Sequence, residues 1–291
     1  ITVFLGVVLQ AVPFLLVGVL LSSAIQMFLS PHILSRLFPK QRLRGALFAV
    51  AAGFCLPVCD CASIPIFRSL LRKGVPVSSA VTFMLVTPII NPVVLMSTWY
   101  AWRDWRFVAC RAGLGIFCSI LIGLTFCRTS AKETGSSLDL SSLLCSCGMG
   151  TPAASGRSGK FFAYLRHTQT EFFNVGKYLM AGAFVSAVLQ SVFKTGNAHS
   201  LGGLAGSLLV MMGLAFLLSL CSSSDAVVAR SFSNTVPTGA VMGFLVFGPM
   251  LDIKNVIMLS GSLPQRFLLR LGLTVFLVDF AVLFLAFHFG L

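Results

Sequence analysis

The chain has 291 residues, of which 57% are hydrophobic and only 10% are charged, and so few charges exclude a water-soluble surface. Its net charge of +13 comes from basic residues lying between apolar stretches. This distribution is the positive-inside pattern of membrane proteins and argues against nucleic-acid binding. We therefore expect membrane lipids around the chain and no nucleic-acid partner.

Near-continuous apolar stretches follow one another along the chain. They cover residues 2–29, 43–58, 75–100, 107–127, 172–193, 201–220, 236–259 and 267–291. Most reach the roughly 20 residues that a helix needs to cross about 30 Å of hydrocarbon. The first stretch is too long for a signal-peptide core and lacks a basic start, so no cleavable signal is expected.

Basic residues mark the segments predicted to be cytoplasmic. They fill residues 32–44, 68–73 and 128–166, whereas tryptophans near residues 99–105 bracket a turn predicted to lie on the opposite side. Residues 128–167 are rich in Ser, Thr and Gly and show little apolar periodicity. They are predicted to form a flexible cytoplasmic linker.

The sequences on the two sides of this linker are related. Matching blocks begin at Pro13 and Lys177, at Cys59 and Cys221, and at Val75 and Val236. The offset stays between 161 and 164 residues, which argues against chance similarity between apolar helices. Residues 1–127 are therefore predicted to form one transmembrane repeat and residues 168–291 a second.

Each repeat is predicted to contain three spanning helices and one re-entrant helical hairpin. A hairpin tip around residues 55–65 puts the basic segments 36–44 and 68–73 on one side of the membrane. Three crossings are an odd number, so the second repeat would be inverted. The expected fold is thus an all-α polytopic membrane protein with two inverted repeats, as in secondary transporters that bind substrate at the midplane.

The predicted hairpin tips carry residues unusual for hydrocarbon. They read FCLPVCDCASIP, from Phe54 to Pro65, and LSLCSSSDAVVA, from Leu218 to Ala229. Such breaks persist only where protein or a wet cavity satisfies the backbone. We expect the two tips to meet at a substrate site. The candidate substrate-binding residues are Cys55, Cys59, Asp60, Cys61, Ser63, Asn91, Cys221, Ser222, Ser223, Asp225 and Asp252.

A second pair of breaks occurs at TPIINP and GPMLDIKN. Pro88, Pro92 and Pro249 must kink or unwind their helices. Asn91 and Asp252 supply polar groups at the matching point of each repeat. We expect them to line the same cavity, although repair of a helix bend is the alternative.

Three aspartates are candidates for proton coupling. Asp60 and Asp225 lie in the predicted tips, where each would act either as a helix cap or as a site for a proton or cation. Asp279 lies near the middle of the last span and would relay protons or face a polar group of a neighbouring helix. A charge at the bilayer centre costs at least about 2.5 kcal/mol, so it needs a function or a partner.

The cysteines of the first tip form a C-x3-C-x-C cluster. Thiolates prefer soft, thiophilic species, so Cys59 and Cys61 are candidate metal ligands, with Cys55 beside them. The alternative is that cysteine merely fills a tight turn as a small apolar residue. Cys145 and Cys147 form a weaker pair in the linker.

The run CLPVCDCASIPIFRSLLRKGVPVSSAVTFMLVTPIINPVV resembles the predicted-permease family that includes YraQ-type proteins and ArsP-type organoarsenical efflux permeases. The C-D-C-A-S and P-x-x-N-P elements carry the resemblance, which extends over both halves. It implies a permease of the bacterial inner membrane and, for the ArsP branch, export of trivalent organoarsenicals that bind thiols. It also implies a substrate role for the matching positions Cys55, Cys59, Asp60, Cys61 and Asn91.

The expected function is therefore export of a small thiophilic solute or soft metal by alternating access. No P-loop occurs, which disfavours ATP hydrolysis by this chain, and neither catalytic residues nor a cofactor are expected. One alternative is a permease for another small solute, with structural cysteines. The other is an intramembrane thiol oxidoreductase using Cys59/Cys61 and Cys145/Cys147, against which the absence of C-x-x-C counts.

Overall fold

The computed structural model describes residues 2–28, 42–56, 58–128, 157–192, 203–222, 224–233, 235–261 and 263–289, and every regular element within them is helical. The helices of the first half are α1 (Thr2–Phe28), α2 (Arg42–Cys55), α3 (Asp60–Arg72), α4 (Val77–Ile90), α5 (Pro92–Trp102) and α6 (Trp105–Thr125). A short 3-10 turn, Phe126–Arg128, follows α6.

The second half repeats this order of elements. Its helices are α7 (Arg157–Val192), α8 (Leu204–Leu218), α9 (Asp225–Phe232), α10 (Thr238–Met250), α11 (Ile253–Ser260) and α12 (Gln265–His288). Each half thus runs from a long helix through two short helices and a broken helix to a second long helix. Because α7 begins at Arg157, the last part of the predicted linker is helical, while Cys145 and Cys147 lie outside the described residues.

Four helical segments of the described chain are long and apolar enough to cross a membrane: 77–102, 105–125, 238–260 and 265–288. In contrast, α2 has 14 residues and α8 has 15. At 1.5 Å per residue, such helices reach roughly 21–23 Å, less than the hydrocarbon thickness of about 30 Å. Helices of this length are too short to cross the hydrocarbon, as expected for the arms of the predicted re-entrant hairpins. The opposite orientation of the two halves stays a prediction.

Both predicted breaks in the paired spans are present. Helix α4 ends at Ile90 and α5 restarts at Pro92, a residue that suits the first helical position because its missing N–H needs no partner there. Asn91 caps α5 by accepting a hydrogen bond from the Val93 N–H at 3.0 Å. In the second half, Asp252 caps α11 by accepting from the Asn255 N–H at 2.6 Å.

Helices α4 and α10 form the centre of the molecule and contact each other, and every residue of α4 is buried. Around them, equivalent helices of the two halves also meet, with α1 against α7 and α6 against α12. The outer helix α12 exposes Leu269, Leu273 and Leu277. Their spacing of four residues puts them on one helix face, as expected for a surface in contact with lipid.

Hydrogen bonds from polar side chains join α1 to α7. The Ser22 hydroxyl lies 3.2 Å from the buried Glu171 carboxylate of α7, and it also lies 3.1 Å from the carbonyl oxygen of Pro65 in α3. The Tyr164 hydroxyl of α7 donates to the Leu20 carbonyl at 2.9 Å. These contacts join the two halves at the point where α1 also supports α3.

Candidate solute-binding site

The tip of the first hairpin is the short break between α2 and α3. Cys59 has an extended backbone and directly precedes α3. The Asn91 side-chain amide donates to the Val58 carbonyl at 3.0 Å. This hydrogen bond ties the first tip to the helix break of its own half.

The tip of the second hairpin is held in an equivalent way. Ser219 ends α8 in the left-handed conformation, with φ of 47°. Its hydroxyl oxygen accepts a hydrogen bond from the backbone N–H of Lys254, which lies just after the second helix break, at 3.2 Å. Both tips are therefore anchored at interruptions of the central helices, where free backbone groups are available.

The two tips bring thiols from both halves together. The Cys59 side chain contacts the side chains of Cys61 and Cys221. The ligand atoms of Cys59, Asp60 and Cys61 lie within 4.8 Å of one another, and all three residues are buried. Two sulfurs and a carboxylate oxygen at this spacing suit a soft ion or a thiophilic centre. Cys55, by contrast, is exposed at the end of α2 and lies outside this group.

A buried lysine joins the site at the boundary between the halves. The Lys254 ammonium lies 2.9 Å from Asp60 Oδ2 and 3.3 Å from Asp252 Oδ2, and all three residues are 1% exposed. Asp60 is thus ion-paired across the halves. Lys254 was not among the predicted site residues, although a lysine at a helix break in an apolar stretch was a usable signal.

A second buried cation lies nearby and was also missed. Arg111 of α6 is fully buried, and its Nη1 donates to Thr98 Oγ1 of α5 at 2.6 Å. Among the described residues, its Nε and Nη2 have no hydrogen-bond partner, and neither has Oδ2 of the buried Asp225. The Arg111 charge attracts the Asp225 carboxyl, whereas Asp60 repels the Asp225 carboxyl. The signal in the sequence was an arginine inside the apolar run 107–127.

Further polar groups surround a small cavity between the halves. Ser63 lines it, and its hydroxyl donates to the Asp60 backbone carbonyl at 2.7 Å. Met84 from the first half and Met250 from the second add thioethers to the lining. Several buried polar atoms near the tips have no hydrogen-bond partner within the described part of the chain: Asp60 Oδ1, Ser222 Oγ, Asp225 Oδ2 and Asn255 Oδ1. Buried polar atoms are normally paired, so this group is suited to receive a solute or water.

Other predicted site residues have different surroundings. Asn91 and Asp252 use polar atoms to cap helices, and each makes a further polar contact within the chain. Asp279 is fully buried beside Cys118, at the contact between α6 and α12, and does not belong to the thiol group. Ser223 lies outside the described residues.

Comparison with curated proteins gives relatives over nearly the full chain. The UPF0718 protein YcgR of Bacillus subtilis is 42% identical over 272 residues, which are 93% of this chain and 90% of YcgR. A putative two-component membrane permease complex subunit of Streptococcus mutans is 34% identical, covering 92% of this chain and 88% of its own. The UPF0718 protein YraQ of Escherichia coli is 25% identical, covering 89% and 72%.

No solved structure shows a significant match to this chain. A family model does match, over residues 1–287, and its description is ArsP_1, predicted permease. That range includes both hairpin tips and both helix breaks. The chain is thus a multi-pass integral membrane protein that belongs to the ArsP_1 predicted permease family.

Proposed function

We propose that this permease exports a small thiophilic solute across the bacterial inner membrane by alternating access, with trivalent organoarsenicals as the leading class. The observation that carries the proposal is the contact of Cys59 with Cys61 and Cys221, which joins thiols of both hairpin tips. A tight turn needs small residues, but it does not need thiols from two separate segments at one point. Soft sulfur ligands at a shared midplane site favour a soft solute.

The chemistry of a trivalent methylarsenical fits this set of thiols. Methylarsonous acid carries two hydroxyl groups on arsenic. Each condensation with a thiol forms one As–S bond, breaks one As–O bond and releases one water, so two cysteines hold the solute without any redox change. Asp60 Oδ2 lies 3.8 Å from Cys61 Sγ, where it can accept the thiol proton and return it to the leaving hydroxide.

The third thiol gives the solute a route between the halves. A free thiol can replace a bound one on arsenic, which transfers one As–S bond and one proton and leaves the total number of bonds unchanged. Cys221 belongs to the second half, whereas Cys59 and Cys61 belong to the first. Exchange among them would let the two tips separate with arsenic still bound, and this step is what alternating access requires.

Transport by cysteine variants tests the proposal. We expect Cys59→Ala, Cys59→Ser and the matching Cys61 variants each to lower methylarsonous acid uptake into everted vesicles by roughly tenfold or more. The reason is that each variant loses one arsenic–sulfur bond to the solute, and a loss of only about 1.4 kcal/mol in binding free energy lowers the affinity tenfold. Membrane abundance of each variant is measured in parallel, and both Ala variants are expected to remain near the wild-type level.

The matched control is Cys110→Ala, because Cys110 is a half-buried thiol of α6 outside the thiol group. It should transport like the wild type. If the cysteines only pack, Ser would lower abundance by burying an unpaired hydroxyl, while Ala would transport normally. Normal uptake by both Ala variants at normal abundance would exclude thiol coordination and leave a permease for a different solute.

A further inference from the structure

We propose that Lys254 with Asp60, and Arg111 with Asp225, are two ion pairs between the halves that close in alternation during transport. The first pair is closed in this structure and the second is open. The inference rests on the proposed permease function, because alternating access needs a contact that holds each of its two end states. It assigns a role to two buried cations, Lys254 and Arg111.

The closed pair joins α3 of the first half to α11 of the second. Asp60 is the first residue of α3, and Lys254 lies in the first turn of α11. Their charged atoms are 2.9 Å apart, and the two helices contact each other. A buried pair at this distance is costly to break, because Asp60 would keep its charge without compensation while Lys254 would keep only Asp252 as a partner. The present arrangement of the tips is therefore held by this contact.

The open pair has the same construction with its members exchanged between the halves. Asp225 is the first residue of α9 in the second half, while Arg111 comes from α6 in the first. Helix α9 packs on α5, whose Thr98 holds Arg111 Nη1. In each pair, the aspartate is therefore the first residue of the helix that follows a hairpin tip, and the cation comes from the opposite half.

The unpaired atoms of the open pair match each other. Nε and Nη2 of Arg111 form one edge of the guanidinium, which is suited to a carboxylate bound through two hydrogen bonds. Neither atom has a hydrogen-bond partner in the part of the chain that the structure describes, and Asp225 Oδ2 has none there either. Four charged or titratable groups interact electrostatically with the Asp225 carboxyl: Arg111, Asp60, Cys221 and Lys254. The attraction by Arg111 is the strongest of these four interactions.

Movement of the tips relative to the opposite half would exchange the two contacts. When α3 withdraws from α11, Asp60 leaves Lys254, and the related movement of α9 brings Asp225 to Arg111. One ion pair is then present in either state. Neither state is therefore destabilised by having all four buried charges unpaired. The two states stay close in free energy, and solute binding can shift the population between them.

Site-resolved thiol labelling tests this exchange without any arsenical. Two double variants, Asp60→Asn with Lys254→Gln and Arg111→Gln with Asp225→Asn, each remove one pair and keep the net charge. The first also removes the contact of Lys254 with Asp252, so the membrane abundance of both variants is measured in parallel. An impermeant maleimide is added to right-side-out and inside-out vesicles, and labelling of Cys59, Cys61 and Cys221 is quantified by mass spectrometry. Removing the closed pair should raise labelling from one face roughly fivefold, and removing the open pair should lower it there and favour the other face.

The control is Arg103→Gln, because Arg103 is exposed and lies over the rings of the half-buried Trp99 and the exposed Tyr100. It should label like the wild type.

Opposite shifts from the two neutralised variants support the exchange. Equal shifts or no shifts would overturn it. Because no arsenical is used, this result is separate from the uptake assay: a chain that fails to transport methylarsonous acid can still show opposite shifts.

Discussion

Lys254→Met should remove most of the protein from the membrane fraction. The substitution leaves Asp60 and Asp252 buried without their shared cation, and breaking a buried ion pair in this way typically costs about 3–5 kcal/mol. Many proteins have a total stability of only about 5–15 kcal/mol, so the loss should be visible as low abundance. The measurements are membrane abundance and the thermal unfolding temperature of the purified protein in detergent.

A second substitution separates loss of the pair from loss of the lysine itself. Adding Asp60→Asn to Lys254→Met removes one uncompensated charge and should recover a large part of the abundance. The control is Lys177→Met, because Lys177 is an exposed lysine of α7 beside Tyr178 and should tolerate the change. A stable Lys254→Met protein, or a double variant no better than the single one, would show that the pair does not hold this arrangement.

Gly18→Ala should separate α1 from α3 and lower both stability and transport. A Cβ at position 18 would lie 2.5 Å from Ala62 Cβ and 2.7 Å from Ala62 Cα, so the backbone itself must move. Overpacking of this kind costs about 1–3 kcal/mol. Because Ala62 follows Cys61 in α3, the displacement also reaches the thiol group. Unfolding temperature and uptake of methylarsonous acid are measured on the same preparations.

Gly113→Ala is the matched control for this change. Gly113 lies within α6, and a Cβ there would meet nothing within 4 Å. Alanine in a helix interior is about 0.5–1 kcal/mol more favourable than glycine, so this variant should be as stable as the wild type or more stable. Equal behaviour of the two variants would contradict the close approach of α1 and α3.

The helix breaks could be predicted because their causes are local. Proline removes a backbone donor wherever it occurs, and Asn91 and Asp252 are residue types that cap the following helix. The structure places both residues at the predicted breaks. What the sequence could not show is that their polar atoms are taken up by contacts within the chain, because those contacts depend on how the hairpin tips fold back.

The extent of the first hairpin tip was less predictable. The sequence suggested an interrupted segment reaching Pro65, whereas α3 already begins at Asp60 and contains Pro65. Proline usually destabilises a helix interior, and here the Ser22 hydroxyl of α1 lies 3.1 Å from the Pro65 carbonyl, so α1 supports α3 at this residue. Tertiary support of this kind leaves no mark on local sequence.

The two buried cations could not be found from the similarity between the repeats. That similarity marks residues that the two halves share, whereas Lys254 matches Val93 of the first half and so has no basic counterpart there. Arg111 lies outside the matched blocks altogether. Their partners come from the opposite half, so only the three-dimensional arrangement reveals the pairing. An ionisable residue in an apolar stretch was the available signal, and it applied to both.

The most direct test of a thiol site shared by the two hairpin tips is X-ray absorption spectroscopy of methylarsonous acid bound to the purified protein. We expect about one arsenic per chain, bonded to sulfur and methyl carbon only, with no remaining oxygen neighbour. Replacing Cys59, Cys61 and Cys221 together by Ala should abolish this signal while the protein remains folded. Arsenic bound through oxygen, or sulfur-bound arsenic that persists in the triple variant, would contradict the account.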